Sequence, residues 1–144
     1  VKSLIRHLIL QRTEVVVMDM DAGVEHLGRG TTAYMDALIV VVEPGRRSIQ
    51  TAESVRALAK DLGIDKCYVV GSKTKSQADR QFITDNLPDF EVLGFIDYSE
   101  AVIQADLKGA SVYDTAPDAV AAVRRIKEKL ENVRSNRSAP KKDR

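Results

Sequence analysis

A mostly parallel α/β sheet with helices on both faces is the architecture this sequence predicts. Three observations point to it. Short apolar, β-branched runs recur at residues 14–19 (EVVVMD), 37–42 (ALIVVV), 66–70 (KCYVV) and 91–96 (EVLGFI). They are continuous rather than alternating, as in strands buried on both faces. Segments with apolar residues at helical spacing separate them, which is the signature of βαβ units.

The first segment, Lys2–Gln11, places Leu4, Ile5, Leu8 and Ile9 on one helical face. The strand Glu14–Asp19 ends in acid. Ala37–Val42 is stopped by Glu43-Pro44-Gly45. Ser48 is the expected N-cap of a helix over Ile49–Leu62, with a stripe of Ile49, Ala52, Val55, Leu58 and Leu62 and Gly63 as its stop. Lys66–Val70 is a strand halted by Gly71-Ser72, and Ser76–Asn86 a more polar helix ended by Pro88. After the strand Glu91–Ile96 comes a short helix, Glu100–Leu107. Thr115 and Asp118 read as a capping box, with Pro117 in the first turn of a helix to about Val133, whose expected stripe is Val120, Val123, Ile126, Leu130 and Val133.

The chain has 144 residues, 44% of them hydrophobic and 30% charged, enough for one domain. A single cysteine, Cys67, excludes an internal disulfide framework, and no apolar run reaches the roughly 20 residues of a membrane span. Val1-Lys2-Ser3 opens an amphipathic pattern without the features of a secretory leader, so a cytoplasmic protein is expected. The net charge of +1 hides an asymmetry: residues 134–144 carry +4, leaving −3 on the body. That terminus is too polar to order itself by burial. A mildly acidic body with 5% aromatic residues and no tryptophan disfavours nucleic acid as a partner.

In open parallel sheets, ligands bind beyond the carboxyl ends of the strands. Those ends offer Asp19-Met20-Asp21-Ala22-Gly23, Glu43-Pro44-Gly45-Arg46-Arg47, Gly71-Ser72-Lys73-Thr74-Lys75 and Asp97-Tyr98-Ser99-Glu100. An acid at a buried strand tip is costly unless it meets a cation or donors. Asp19 suits magnesium, held directly or through water, and Gly23 leaves its N–H free to approach an anion. Equally, Asp19 or Asp21 caps the next segment and Gly23 serves a turn. Gly23 to Gly30 has phosphate-loop spacing, but Arg29 and Gly30 stand where lysine and a hydroxyl are required, so it is rejected. Glu25, His26, Arg46, Arg47, Lys73 and Lys75 read as solvated loop residues, and Cys67 as a buried, inert thiol.

Asp19-Met20-Asp21-Ala22-Gly23-Val24-Glu25-His26-Leu27, Arg29-Gly30-Thr31, Val41-Val42-Glu43-Pro44, Ser48 and Leu58–Ile64 carry a further likeness. Together they resemble the accessory ATPases that mature carbon monoxide dehydrogenase by nickel insertion. These are deviant-phosphate-loop ATPases related to the septum-site-determining and nitrogenase iron proteins. The resemblance covers about Val1 to Leu130. It implies a partial P-loop NTPase (SIMIBI-type) fold, with residues 1–133 as the C-terminal portion of the ATPase domain and 134–144 as a disordered basic tail.

By the same resemblance, Asp19 is the Walker B carboxylate holding magnesium through water, and Gly23 is the switch II glycine sensing the γ-phosphate. Asp21 lies beside the phosphates, and Gly71, Ser72 and Asp97 line the adenine pocket. Mg-ATP is the implied cofactor, nickel the cargo, and a homodimer closing around ATP the implied switch, with carbon monoxide dehydrogenase as client. The chain departs from the family in lacking the phosphate loop and the cysteine pair, which lie upstream there. It also has Gly71-Ser72 for an asparagine, Asp97 for a proline, and Asp21 for a small residue. Each departure weakens ATP binding, so the chain alone is expected to bind ATP weakly, to be catalytically incomplete, and to need a partner segment at two bare strand edges. The alternatives are a non-catalytic partner-binding module on the same fold and a related partitioning-type ATPase.

Overall fold

The computed structural model describes residues 15–19 and 35–137. The expected helix Lys2–Gln11, the segment from Asp21 through Gly23 and His26, and residues 138–144 lie outside the described residues.

The described part is a half-open sandwich built in the predicted order. Strand β1 (Leu38–Val42) is followed by helix α1 (Arg46–Asp61), strand β2 (Cys67–Thr74), helix α2 (Gln77–Asn86) and strand β3 (Glu91–Asp97). Two short helices, α3 (Glu100–Leu107) and α4 (Val112–Thr115), then lead into the long α5 (Pro117–Arg137). The sheet order among the described residues is β1-β2-β3, and both pairings are parallel, as the continuous apolar runs predict.

Parallel strands present alternate residues to opposite layers. On one face Val40 and Val42 of β1, Cys67 and Val69 of β2, and Val92 and Phe95 of β3 meet Ile49 and Ala52 of α1 and Phe82 and Ile83 of α2. On the other face Tyr68, Val70 and Leu93 meet Ile126, Leu130 and Val133 of α5. Ile39 and Val41 pair with Tyr68 and Val70 in register, so they share that second face. There they stay 41% and 62% exposed, because α5 packs on β3 and does not reach across β1.

Several local expectations are corrected. Residues 15–19 form no strand, and Val15, Val16 and Val17 are exposed. A β segment is stable only when its backbone groups find a neighbouring strand, and β propensity supplies none. Gly45, not Ser48, is the N-cap of α1; the Ser48 hydroxyl instead accepts the Glu43 N–H at 3.0 Å. Gly63, at φ +79°, ends α1 as expected, and Ile64 N–H closes on the Ala59 carbonyl. The capping box forms at Ser76 and Asp79 of α2. At Thr115 the hydroxyl donates back to the Ser111 carbonyl, closing α4. On α5, Ala122 replaces Val123 in the buried stripe, and Val123 is half-exposed. That helix runs to Arg137, past the expected boundary at Val133.

Candidate functional site

The largest correction concerns the end of β2. Gly71-Ser72 reads as a strand stop, yet β2 continues to Thr74. Gly71 is needed for packing: a Cβ there would lie 2.7 Å from Phe95 Cε1 and 3.2 Å from Ile83 Cδ1. Ser72 is therefore a strand residue paired with Ile96, not a loop residue. Register shifts between Val69 and Val70 and between Ser72 and Thr74 follow, and Lys73 takes φ +55°. The shift turns Lys73 out to pair with Glu43 at 2.6 Å, tying the tips of β1 and β2. Lys73 is thus an ion-pair member rather than a free loop lysine.

Thr74 and Asp97, the last residues of β2 and β3, meet across the sheet. The fully buried Thr74 hydroxyl donates to Asp97 Oδ1 at 2.6 Å. Arg80, one turn into α2, donates from Nη2 to both Asp97 oxygens at 2.7 and 2.6 Å. Its guanidinium lies 5.7 Å from the Phe95 ring centroid. The Arg80 hydrogen bonds and that of Thr74 hold the Asp97 carboxyl below its usual range. Lys75 Nζ stands 4.7 Å over the Tyr98 ring. Thr74, Lys75, Ser76, Gln77, Arg80, Asp97 and Tyr98 line an open hollow of about 490 Å³ at the carboxyl ends of β2 and β3.

Of the remaining expected site residues, Asp19 alone is described. Asp19 is exposed and lies outside any strand. Asp21 and Gly23 fall outside the described residues. Among the described residues no three His, Cys, Asp or Glu side chains converge as metal ligands. Burial pushes the Cys67 thiol up, so it is a neutral, partly buried group rather than a thiolate ligand. At α2 the first-turn N–H of Asp79 is taken by Ser76, and the Asp79 carboxylate accepts the N–H groups of Lys75 and Ser76.

Sequence reasoning missed Arg80 and Thr74. The signal was present: an acid ending an apolar strand needs a cation, and Arg80 is the basic residue of α2.

A parallel sheet between two helical layers, with its polar groups gathered where the strands end, defines a layered α/β protein. It is similar to the MinD cell division protein of Aquifex aeolicus, with a TM-score of 0.60 and 19% identity over 76% of this chain and 50% of that one. No protein-family model matches the chain. It is 44% identical over 117 residues to the carbon monoxide dehydrogenase accessory protein CooC of Rhodospirillum rubrum, covering 81% of this chain. It is 40% identical over 114 residues to an uncharacterized ATP-binding protein of Methanocaldococcus jannaschii, covering 77% of this chain. The chain belongs to this CooC-type, SIMIBI-fold family and matches a C-terminal part of it. It spans 44% of the length of either relative.

Proposed function

We propose that the chain is part of an ATP-dependent accessory protein for the metallocentre of carbon monoxide dehydrogenase, with nickel as cargo and ATP-driven closure of a homodimer as the switch. The single observation that supports this is the 44% identity to CooC over 81% of the chain. In this reading Asp19, Asp21 and Gly23 serve the phosphate side of the site, and Gly71, Ser72 and Asp97 its base side. The groups that neutralise phosphate come from polypeptide outside this chain, because most phosphate affinity in such folds rests on backbone N–H nests and lysine. The reading places the protein in the cytoplasm. Among the described residues, no helix is long and apolar enough to cross a membrane.

One observation favours a second reading, a partner-binding module without catalysis. Three of the roughly four acceptor positions of the Asp97 carboxylate are taken by Thr74 and Arg80, which leaves it little capacity for a ligand. Differential scanning fluorimetry tests the weak binding that both readings share, and ATP hydrolysis separates them. The 144-residue chain alone is expected to show no shift with millimolar Mg-ATP. Joined to the N-terminal part of a CooC-type relative, it is expected to hydrolyse ATP, with Asp19→Asn reducing the rate about 100-fold or more. Several degrees of stabilisation of the chain alone would overturn the first expectation. An inactive joined protein would favour the module.

A further inference from the structure

Exposed large apolar side chains fall into groups. Val15, Val16 and Val17 form one, Ile39 and Val41 on β1 a second, and Val123 stands alone. The third group is different in kind, because apart from Tyr98, which precedes α3, it lies on helices whose backbone hydrogen bonds are satisfied internally. Tyr98, Ile103, Leu107, Val112 and Tyr113 are 44%, 37%, 73%, 37% and 69% exposed. Helix α3 is apolar on both its inner and outer sides: Ala105 is buried, while Ile103 and Leu107, one turn apart, face outward. Helix α4 packs on α3 and adds Val112 and Tyr113. Clustered apolar exposure with aromatic members and a polar rim marks an interaction surface.

The rim is acidic. Residues 98–118 hold Glu100, Asp106, Asp114 and Asp118 against a single base, Lys108. None of those four acids forms an ion pair among the described residues. Two copies of this face set against each other would bring like charges together. An anionic lipid surface would be repelled for the same reason. The basic terminus 134–144 has the charge but lacks apolar anchors.

We propose that the α3–α4 face docks a basic amphipathic segment of another protein, with apolar anchors seated among Ile103, Leu107, Val112 and Tyr113. Charge complementarity supplies the argument for that occupant.

The test uses the 144-residue chain and three fluorescent helical peptides of about 14 residues. One has a leucine face and a lysine face; in the second glutamate replaces lysine, and in the third serine replaces leucine. By anisotropy, the leucine–lysine peptide is expected to bind about tenfold or more tightly than either other peptide. The double variant Leu107→Ser, Tyr113→Ser is expected to lose about tenfold of that affinity, with melting temperature unchanged because both side chains are exposed. The pair Asp106→Lys, Asp114→Lys is expected to lose a similar amount and to flatten the salt dependence. Equal binding of the three peptides, or wild-type affinity in either variant, would overturn the proposal. So would a concentration-dependent mass that Leu107→Ser, Tyr113→Ser abolishes, because it assigns the face to a second copy.

Discussion

The two edges of the sheet are built differently. Strand β3 is guarded. Helix α5 packs along it, Lys129 Nζ donates to the Val92 carbonyl at 2.7 Å, and the register with β2 shifts twice. Strand β1 is bare on its second face. Its register with β2 runs straight from Leu38↔Cys67 to Val42↔Gly71, and Ile39 and Val41 face outward uncovered. Natural sheets blunt their free edges with bulges, charges or covering helices. The β3 edge carries bulges and a helix over its second face; among the described residues β1 carries no bulge and is covered on its first face alone, by α1. The difference shows which edge is protected among the described residues: β3 is, and the second face of β1 is not.

Substitutions test that contrast. Leu93, 4% exposed beneath α5, is expected to cost about 3 kcal/mol when changed to alanine, whereas Val41→Ala on β1 costs under about 0.5 kcal/mol. Urea unfolding measures both. Equal costs would mean that β1 is covered in solution.

The tip of β3 gives a smaller effect with a pH signature. The Asp97 carboxyl is held low in the folded protein, so its contribution is fully present above the unfolded carboxylate value of about 4 and is lost as pH falls through the folded one. Asp97→Asn is expected to lower stability by about 1 kcal/mol at neutral pH, and the deficit is expected to shrink in acid. A deficit independent of pH would contradict this.

The smallest effect on stability carries the clearest effect on association. Val41→Lys is expected to change unfolding by under about 0.5 kcal/mol while reducing self-association at high concentration, since charge on an open edge opposes pairing. A wild-type chain that scatters light as a clean monomer would show that the β1 edge is not adhesive.

Legibility followed from whether the cause was local. The strands β1, β2 and β3 were readable because burial on both faces leaves continuous apolar runs. The helix α3 was readable to the residue, and Gly63 was readable as a stop because a left-handed residue ends a helix. Local chemistry misled at Gly71-Ser72, where glycine and serine signal a stop but the Phe95 ring needs the space that glycine leaves. It misled again at residues 15–19, where three consecutive valines favour a strand that finds no neighbour among the described residues. For the site, Asp97 was singled out correctly as a strand-end acid. Its partner Arg80 lies 17 residues away, which no short motif spans.

By itself, then, the amino-acid order set the class: alternating apolar runs and helical stripes admit a parallel sheet between helical layers, because no other layering buries them all. Tertiary structure decided which strand end holds charge, which edge is closed, and which apolar helix face stays in water. Those outcomes depend on what stands opposite each residue in space, and hydrophobic periodicity along the chain carries no record of it.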